Sequence, residues 1–307
     1  QPLRHVYLFT RDIKADEFRR TFLGTYDRKL FGIVADVNGD HRFDIVSIEI
    51  DRPNHVSGAR AVTYLNNTEG QPGCVAGVSA EDGCFFIRLP DLDFTATAGG
   101  EWVVRHAFQA VNLNPQSDEH LDLTVVSYAS GGNAPSSVYV LDGRGDGTFD
   151  APVLRFMHNA RREHAPANTV VFADFDNDGV GDVLMGFDDD GRPGEGWTYF
   201  GMGDGQFFAQ PTAAVDLNPN DARAQGGGEY LGREGSGRTF DFDFDGNADL
   251  VIGYHHVNYQ APAQTRLYRG LGNGRFDPEF SVVGQESIHA GRFAIPQRLC
   301  PSFNFGR

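Results

Sequence analysis

The feature that most restricts how this chain can fold is an acidic nonapeptide that recurs along it. The clearest copy runs Asp174-Phe175-Asp176-Asn177-Asp178-Gly179-Val180-Gly181-Asp182 and leads into Val183-Leu184-Met185. Carboxylates fall at loop positions 1, 3, 5 and 9, with glycine at position 6. A second copy supplies Asp241, Asp243, Asp245, Gly246 and Asp249 before Leu250-Val251-Ile252. A third supplies Asp36, Asn38, Asp40 and Asp44 before Ile45-Val46, with His41 in the glycine position. A degraded fourth keeps the spacing as Asn114, Gln116, Asp118 and Asp122 before Leu123, so position 1 recurs at 36, 114, 174 and 241. Asp-Gly segments also make ordinary hairpin turns, but a turn alone gives no reason to crowd acids on alternate residues. Carboxylates packed this closely repel one another unless a cation neutralises them.

A hard divalent ion such as Ca²⁺ takes about six to eight oxygens at about 2.3–2.6 Å. Alternate residues can turn their side-chain oxygens inward where the backbone curls round such an ion. Position 7 would offer its main-chain carbonyl, which leaves its side chain free to vary, as it does: Arg42, His120, Val180 and Asn247. Glycine at position 6 permits a sharp turn at positive φ. Closure comes at position 9, earlier than in the EF-hand loop. The flanks are β-branched, strand-like runs rather than amphipathic helices. The expected ligand sets are Asp36, Asn38, Asp40, Arg42 and Asp44; Asp174, Asp176, Asp178, Val180 and Asp182; and Asp241, Asp243, Asp245, Asn247 and Asp249. A weaker set comprises Asn114, Gln116, Asp118, His120 and Asp122. Three Ca²⁺ ions are expected, and a fourth, at the weaker loop, stays open.

A second motif shares the period. Gly143-Arg144-Gly145-Asp146-Gly147-Thr148-Phe149 matches Gly201-Met202-Gly203-Asp204-Gly205-Gln206-Phe207 and Gly270-Leu271-Gly272-Asn273-Gly274-Arg275-Phe276. Each follows a short strand: Val138-Tyr139-Val140, Trp197-Thr198-Tyr199 or Arg266-Leu267-Tyr268. Gly-Asp and Gly-Asn turns between apolar strands are strong hairpin signals. In the first unit the matching strand is Ala61-Val62-Thr63-Tyr64, and an extension carrying Cys74 and Cys84 replaces the hairpin. Each unit thus reads as strand, acidic loop, strand, longer connection, strand, Gly-rich hairpin, strand. Repeated four-stranded antiparallel units are the signature of a β-propeller. With 38 Gly, 25 Phe and 3 Met, the composition suits strands and tight turns.

The acidic loops together with these hairpins resemble the FG-GAP/VCBS repeats of integrin α-chain propellers and their bacterial and fungal relatives, over roughly Lys29 to Phe280. The departures are the 114 loop, His41 and the first hairpin. The expected fold is all-β, a single propeller domain over 1–307, with four-stranded blades at about 28–98, 99–160, 161–228 and 229–283. Residues 1–27 and 284–307 are expected to close a fifth blade, His5–Phe9 and Phe18 joining strands near Arg292–Ile295. The longer connections 51–58, 129–136, 188–196 and 255–264 fall on the face opposite the acidic loops, where a rigid scaffold presents binding loops.

Charge narrows the partners. The chain has 26 Lys+Arg against 42 Asp+Glu, a formal charge of -16, so it lacks the positive footprint that nucleic acid or an anionic membrane requires. No apolar run approaches the roughly 20 residues that span a bilayer, so membrane insertion is not expected. The first residue is Gln1, which fits a processed or excerpted chain with its signal peptide removed. Cys74 and Cys84 are the favoured disulfide, against three reduced thiols, and leave Cys300 free or linked to another chain. Asn66-Asn67-Thr68 is a glycosylation sequon, relevant only in a eukaryotic secretory pathway.

The resemblance implies a non-catalytic module, extracellular, cell-surface or periplasmic, with structural Ca²⁺. Its partner would be another protein or assembly subunit, or a glycan. His255, His256 and Tyr259 are the candidate ligand contacts, against a solvated loop with packed aromatics. The rival class is a polysaccharide lyase or hydrolase. No nucleophile elbow, His-x-x-x-His pair or Ser/His/Asp arrangement supports it, so an enzyme is not expected. Arg144-Gly145-Asp146 spells an integrin-recognition tripeptide but follows from the hairpin consensus. Asp188-Asp189-Asp190 reads as a solvated acidic loop, with an auxiliary cation site as the alternative.

Overall fold

The computed structural model describes residues 4–12, 17–26, 29–50, 59–66, 86–90, 92–94, 103–115, 117–128, 136–158, 169–189, 192–208, 213–216, 229–231, 237–256 and 263–286. All regular structure among them is strand, and every pairing is antiparallel. Among the described residues no helix is long and apolar enough to cross a membrane.

The strands follow chain order. Among the described residues β1 (Arg4–Asp12) and β2 (Glu17–Tyr26) pair only with each other. β3 (Lys29–Ala35), β4 (Asp44–Ile50) and β5 (Ala59–Asn66) form the next sheet, whose last position is filled by two short segments, β6 (Phe86–Arg88) and β7 (Leu92–Phe94). β8 (Val103–Val111), β9 (Asp122–Tyr128), β10 (Ser136–Leu141) and β11 (Val153–His158) make a four-stranded sheet. So do β12 (Thr169–Ala173), β13 (Asp182–Asp189), β14 (Arg192–Tyr199) and β15 (Ala213–Asp216). In the last sheet β16 (Glu229–Leu231) and β17 (Arg238–Phe240) share the first position against β18 (Asp249–His256), followed by β19 (Ala263–Gly270) and β20 (Phe276–Glu286). Four meandering antiparallel sheets in sequence are compatible with a propeller.

The chain divides into two compact units. The first comprises Gln1–Trp102 with Asp142–Ala151, the second Val103–Leu141 with Pro152–Arg307. In the first unit Val46, Ile48, Ala61, Val62, Tyr64 and Phe149 are buried.

The second unit shows why its strands read as continuous apolar runs. β12 is buried at every residue. Val170 and Phe172 face a core shared with Val126, Val138, Val140 and Phe156, while Val171 and Ala173 face another shared with Leu250, Ile252 and Tyr268. Alternation along β13 does the same, sending Val183 and Met185 to one side and Leu184 to the other. The middle sheet is therefore covered on both faces, the pattern expected of apolar runs without a polar side.

Two expected loops are shorter than the sequence suggested. Asp188, Asp189 and 192–196 belong to β13 and β14, which pair up to Asp189↔Arg192 and leave only 190–191 between them. His255 and His256 lie in β18, opposite Tyr230 and Glu229 of β16. Ladder pairing needs only main-chain groups, so polar residues extend a strand wherever a partner strand continues beside it. Cys74, Cys84, Cys300, Tyr259, Gln116, Asp190 and the 292–295 segment lie outside the described residues.

Candidate metal-binding loops

All four acidic loops connect the first and second strand positions of their sheets, and all three Gly-rich turns connect the third and fourth. Both motifs therefore emerge from one end of each sheet.

Three loops share one wiring scheme. In the Asp174 loop, Asp178 N–H donates to Asp174 Oδ1 at 3.1 Å and to Asp176 Oδ1 at 3.2 Å. Gly179 N–H donates to Asp174 Oδ2 at 2.9 Å, and Val180 N–H to Asp178 Oδ1 at 2.8 Å. The Asp241 loop repeats this: Asp245 N–H to Asp241 and Asp243, Gly246 N–H to Asp241, and Asn247 N–H to Asp245. The Asp36 loop repeats it again with Asp40, His41 and Arg42 donating to Asp36, Asn38 and Asp40. Each acid at positions 1, 3 and 5 is thus fixed by main-chain donors that leave lone pairs free for a cation. The loop turns left-handed at position 6, with φ of 88° at Gly179 and 91° at Gly246. His41 takes the same conformation at φ 65°, so the missing glycine does not change the path. Position 4 is left-handed as well, at Gly39, Asn177 and Phe244, of which only the first two are residue types that favour that conformation.

Position 9 does something else. Asp44, Asp182 and Asp249 are at most 1% exposed. Each accepts from the main chain at position 2 through Oδ2: Val37 at 3.1 Å, Phe175 at 2.8 Å and Phe242 at 2.8 Å. Each also accepts through Oδ1 from the end of the third strand, where Asn66, Gly201 and Gly270 all donate at 2.8 Å. The last two are the first glycines of the Gly-rich motif, and Asn66 takes that role in the first sheet. This carboxylate ties the two motifs together, which explains why they recur in register.

Burial raises the pKa of these acids, to about 6 for Asp44 and about 8 for Asp182. Their two main-chain donors oppose that shift, and neighbouring carboxylates add to it. Asp249, Asp174 and Asp176 are also raised, chiefly by burial. Asp245 is lowered, first by the Asn247 N–H and further by Arg269.

Among the described residues two acidic triads could hold a metal ion: Asp174, Asp176 and Asp182, and Asp241, Asp243 and Asp245. Within each triad, ligand oxygens lie within 4.8 Å of one another. An all-oxygen, multiply anionic donor set fits a hard divalent cation. At position 7 the Val180 side chain is buried, and the Asn247 side chain accepts from Asn177 Nδ2 at 2.7 Å.

The fourth loop is read in the wrong register when only its acids are aligned. Position 9 pairs with the residue before position 1 in every sheet: Ala35↔Asp44, Ala173↔Asp182 and Phe240↔Asp249. The corresponding pair here is Val111↔Asp122, which makes Asn112 position 1 and moves Asn114 to position 3. Leu113 confirms it, because its N–H donates to Asp122 Oδ2 at 3.0 Å as position 2 should. The loop is two residues longer than its relatives and closes differently. Ser117 and Asp118 N–H donate to the Asn114 carbonyl, and Asn112 Nδ2 donates to the Asp118 carbonyl. His120 N–H donates to Asp118 Oδ1, and the His120 ring lies 3.8 Å from it. An amide donor stands where the other loops carry a position-1 acid.

The Gly-rich turns are built alike. Arg144, Met202 and Leu271 N–H donate to Thr148, Gln206 and Arg275 carbonyls. Asp146, Asp204 and Asn273 accept from main-chain N–H two residues on. Asp146 also accepts from Thr148 Oγ1, and Arg144 pairs with Asp150, so the tripeptide's two charged residues both serve the turn. In the second unit each turn seats on the preceding sheet's acidic loop: Gly205 N–H donates to Leu113 O at 3.0 Å, and Gly274 N–H to Phe175 O at 2.9 Å. Phe207 and Phe276 close these motifs inside the two cores, Phe276 with its ring 5.6 Å from that of Phe175.

Residues 116–185 match the model of the FG-GAP-like repeat. That stretch begins in the fourth acidic loop and ends just after the Asp174 loop. Together with the repeated antiparallel sheets, the match fits an FG-GAP repeat family. No curated protein matches the chain.

Proposed function

We propose that this chain is a non-catalytic β-propeller module, stabilised by structural Ca²⁺ and displayed outside the cell, where it binds another protein. The observation that carries this reading is the common wiring of the Asp36, Asp174 and Asp241 loops, which aims side-chain oxygens from alternate residues into one turn. Ca²⁺ suits these donors better than Mg²⁺, which requires a tight octahedral shell and sheds water reluctantly. Loops of this kind fill at the high calcium levels found outside cells. A protein partner is supported by apolar side chains at the loop end of the second unit, where Met202, Phe242, Phe244 and Leu271 stand 47%, 50%, 78% and 48% exposed. Apolar groups so displayed commonly mark contact surfaces.

Because the cation would bind only the folded chain, stability is linked to free calcium. Differential scanning fluorimetry in saturating CaCl₂ and in EDTA should differ by about 5–10 °C in Tm, from about 2–3 kcal/mol of binding linkage. Identical melting curves in the two buffers would refute the reading.

A further inference from the structure

The Asp241 loop differs from the others in what sits upon it. Arg269, at the end of β19, places Nε 2.8 Å from Asp243 Oδ2 and Nη2 2.8 Å from Asp245 Oδ2. One guanidinium thus bridges the acids at positions 3 and 5 of a loop whose position-1, -3 and -5 carboxylates form a candidate cation triad. The planar fork of arginine suits such a clamp, and it cannot be neutralised by losing a proton. Arg269 immediately precedes Gly270, the glycine tied to Asp249. The residues preceding the corresponding Gly201 and Asn66 are Phe200 and Leu65, and Asp142 precedes Gly143. Among these positions only 269 carries a cation.

We propose that Arg269 is a resident counterion of the Asp241 loop, competing with the divalent cation and setting this loop's affinity below that of the Asp174 loop. This inference rests on the cation-binding reading of the loops. Carboxylate oxygens engaged by the guanidinium are not free to ligate, so an ion must displace the side chain before it enters. Arg269 is 55% exposed at its side chain and can swing into solvent when it is displaced. The chain then carries sites of graded affinity: the Asp174 loop fills first, and the Asp241 loop is held together by arginine until calcium is abundant.

The test is calorimetric titration of the metal-stripped full chain with CaCl₂, comparing wild type with R269Q, R269K and D176N, with a melting curve of each in EDTA. R269Q should tighten one class of site by about three- to tenfold, the range set by losing exposed ion pairs. It should also lower the metal-free Tm slightly, and R269K should fall between R269Q and wild type. D176N should instead remove a tight site and leave the weaker one unchanged. Calcium uptake by wild type that R269Q leaves unaltered would overturn the role of Arg269 while sparing the cation reading. Uptake by neither chain would overturn both. Because position 269 is exposed, loss of folding in R269Q would itself contradict a purely electrostatic role.

Discussion

At the scale of single residues, the acids of one loop divide into two kinds. Those at positions 1, 3 and 5 are less buried and anchored by main-chain N–H donors, and in the Asp241 loop Arg269 engages two of them. The acid at position 9 is buried, with each oxygen accepting from the main chain of a different element. Removing Asp249 would leave the Phe242 and Gly270 N–H groups without their acceptor. Asp249→Ala should therefore cost about 3–5 kcal/mol in urea unfolding, and by a similar amount in CaCl₂ and in EDTA. Asp176→Asn should cost stability in CaCl₂ and little in EDTA, since its loss is one of cation affinity. If the Asp249→Ala deficit disappeared in EDTA, the buried acid would be a ligand rather than a tie. Sequence spacing places both kinds in one pattern, because spacing reports that an acid is required and not which atoms it meets.

At the scale of elements, the Gly-rich turn works because its first residue has no side chain. A Cβ on Gly270 would lie 2.2 Å from the Ala248 carbonyl oxygen, while one on Gly246 would meet nothing within 4 Å. Gly270→Ala must push β19 away from the acidic loop and should cost about 2–3 kcal/mol. Gly246→Ala meets only the left-handed backbone penalty of about 1–2 kcal/mol. Thermal melts of the two variants should rank them in that order, and the reverse order would discount the close approach. The strands themselves were legible, because apolar runs between glycine-rich turns admit few other readings. The fourth loop's register was not, since its acids were aligned without the flanking apolar residues. Setting Val111-Asn112-Leu113 beside Ala173-Asp174-Phe175 supplies the missing signal. Arg269 was hidden for another reason: it stands 24 residues from Asp245 and reaches it only once β19 lies beside β18.

At the scale of the whole molecule, a formal charge of -16 makes the folded chain repel itself, and the acidic loops add closely spaced carboxylates to that repulsion. Three bound divalent ions would bring that charge to -10. Salt screens the same repulsion, with a Debye length of about 10 Å at 0.1 M. The metal-free chain should therefore gain Tm as NaCl rises from about 0.02 to 0.2 M, and the calcium-loaded chain should gain less. Equal slopes in melting series at pH 7.4 would separate stability from loop charge. The seating of each turn on the loop before it has a temporal consequence as well. A ribosome delivers the chain from its N-terminus, so the carbonyl of Leu113 waits for Gly205, and that of Phe175 for Gly274. The fourth acidic loop and the Asp174 loop therefore stay unlatched until the following repeat has been translated, and a nascent chain halted between those repeats leaves its latest loop open.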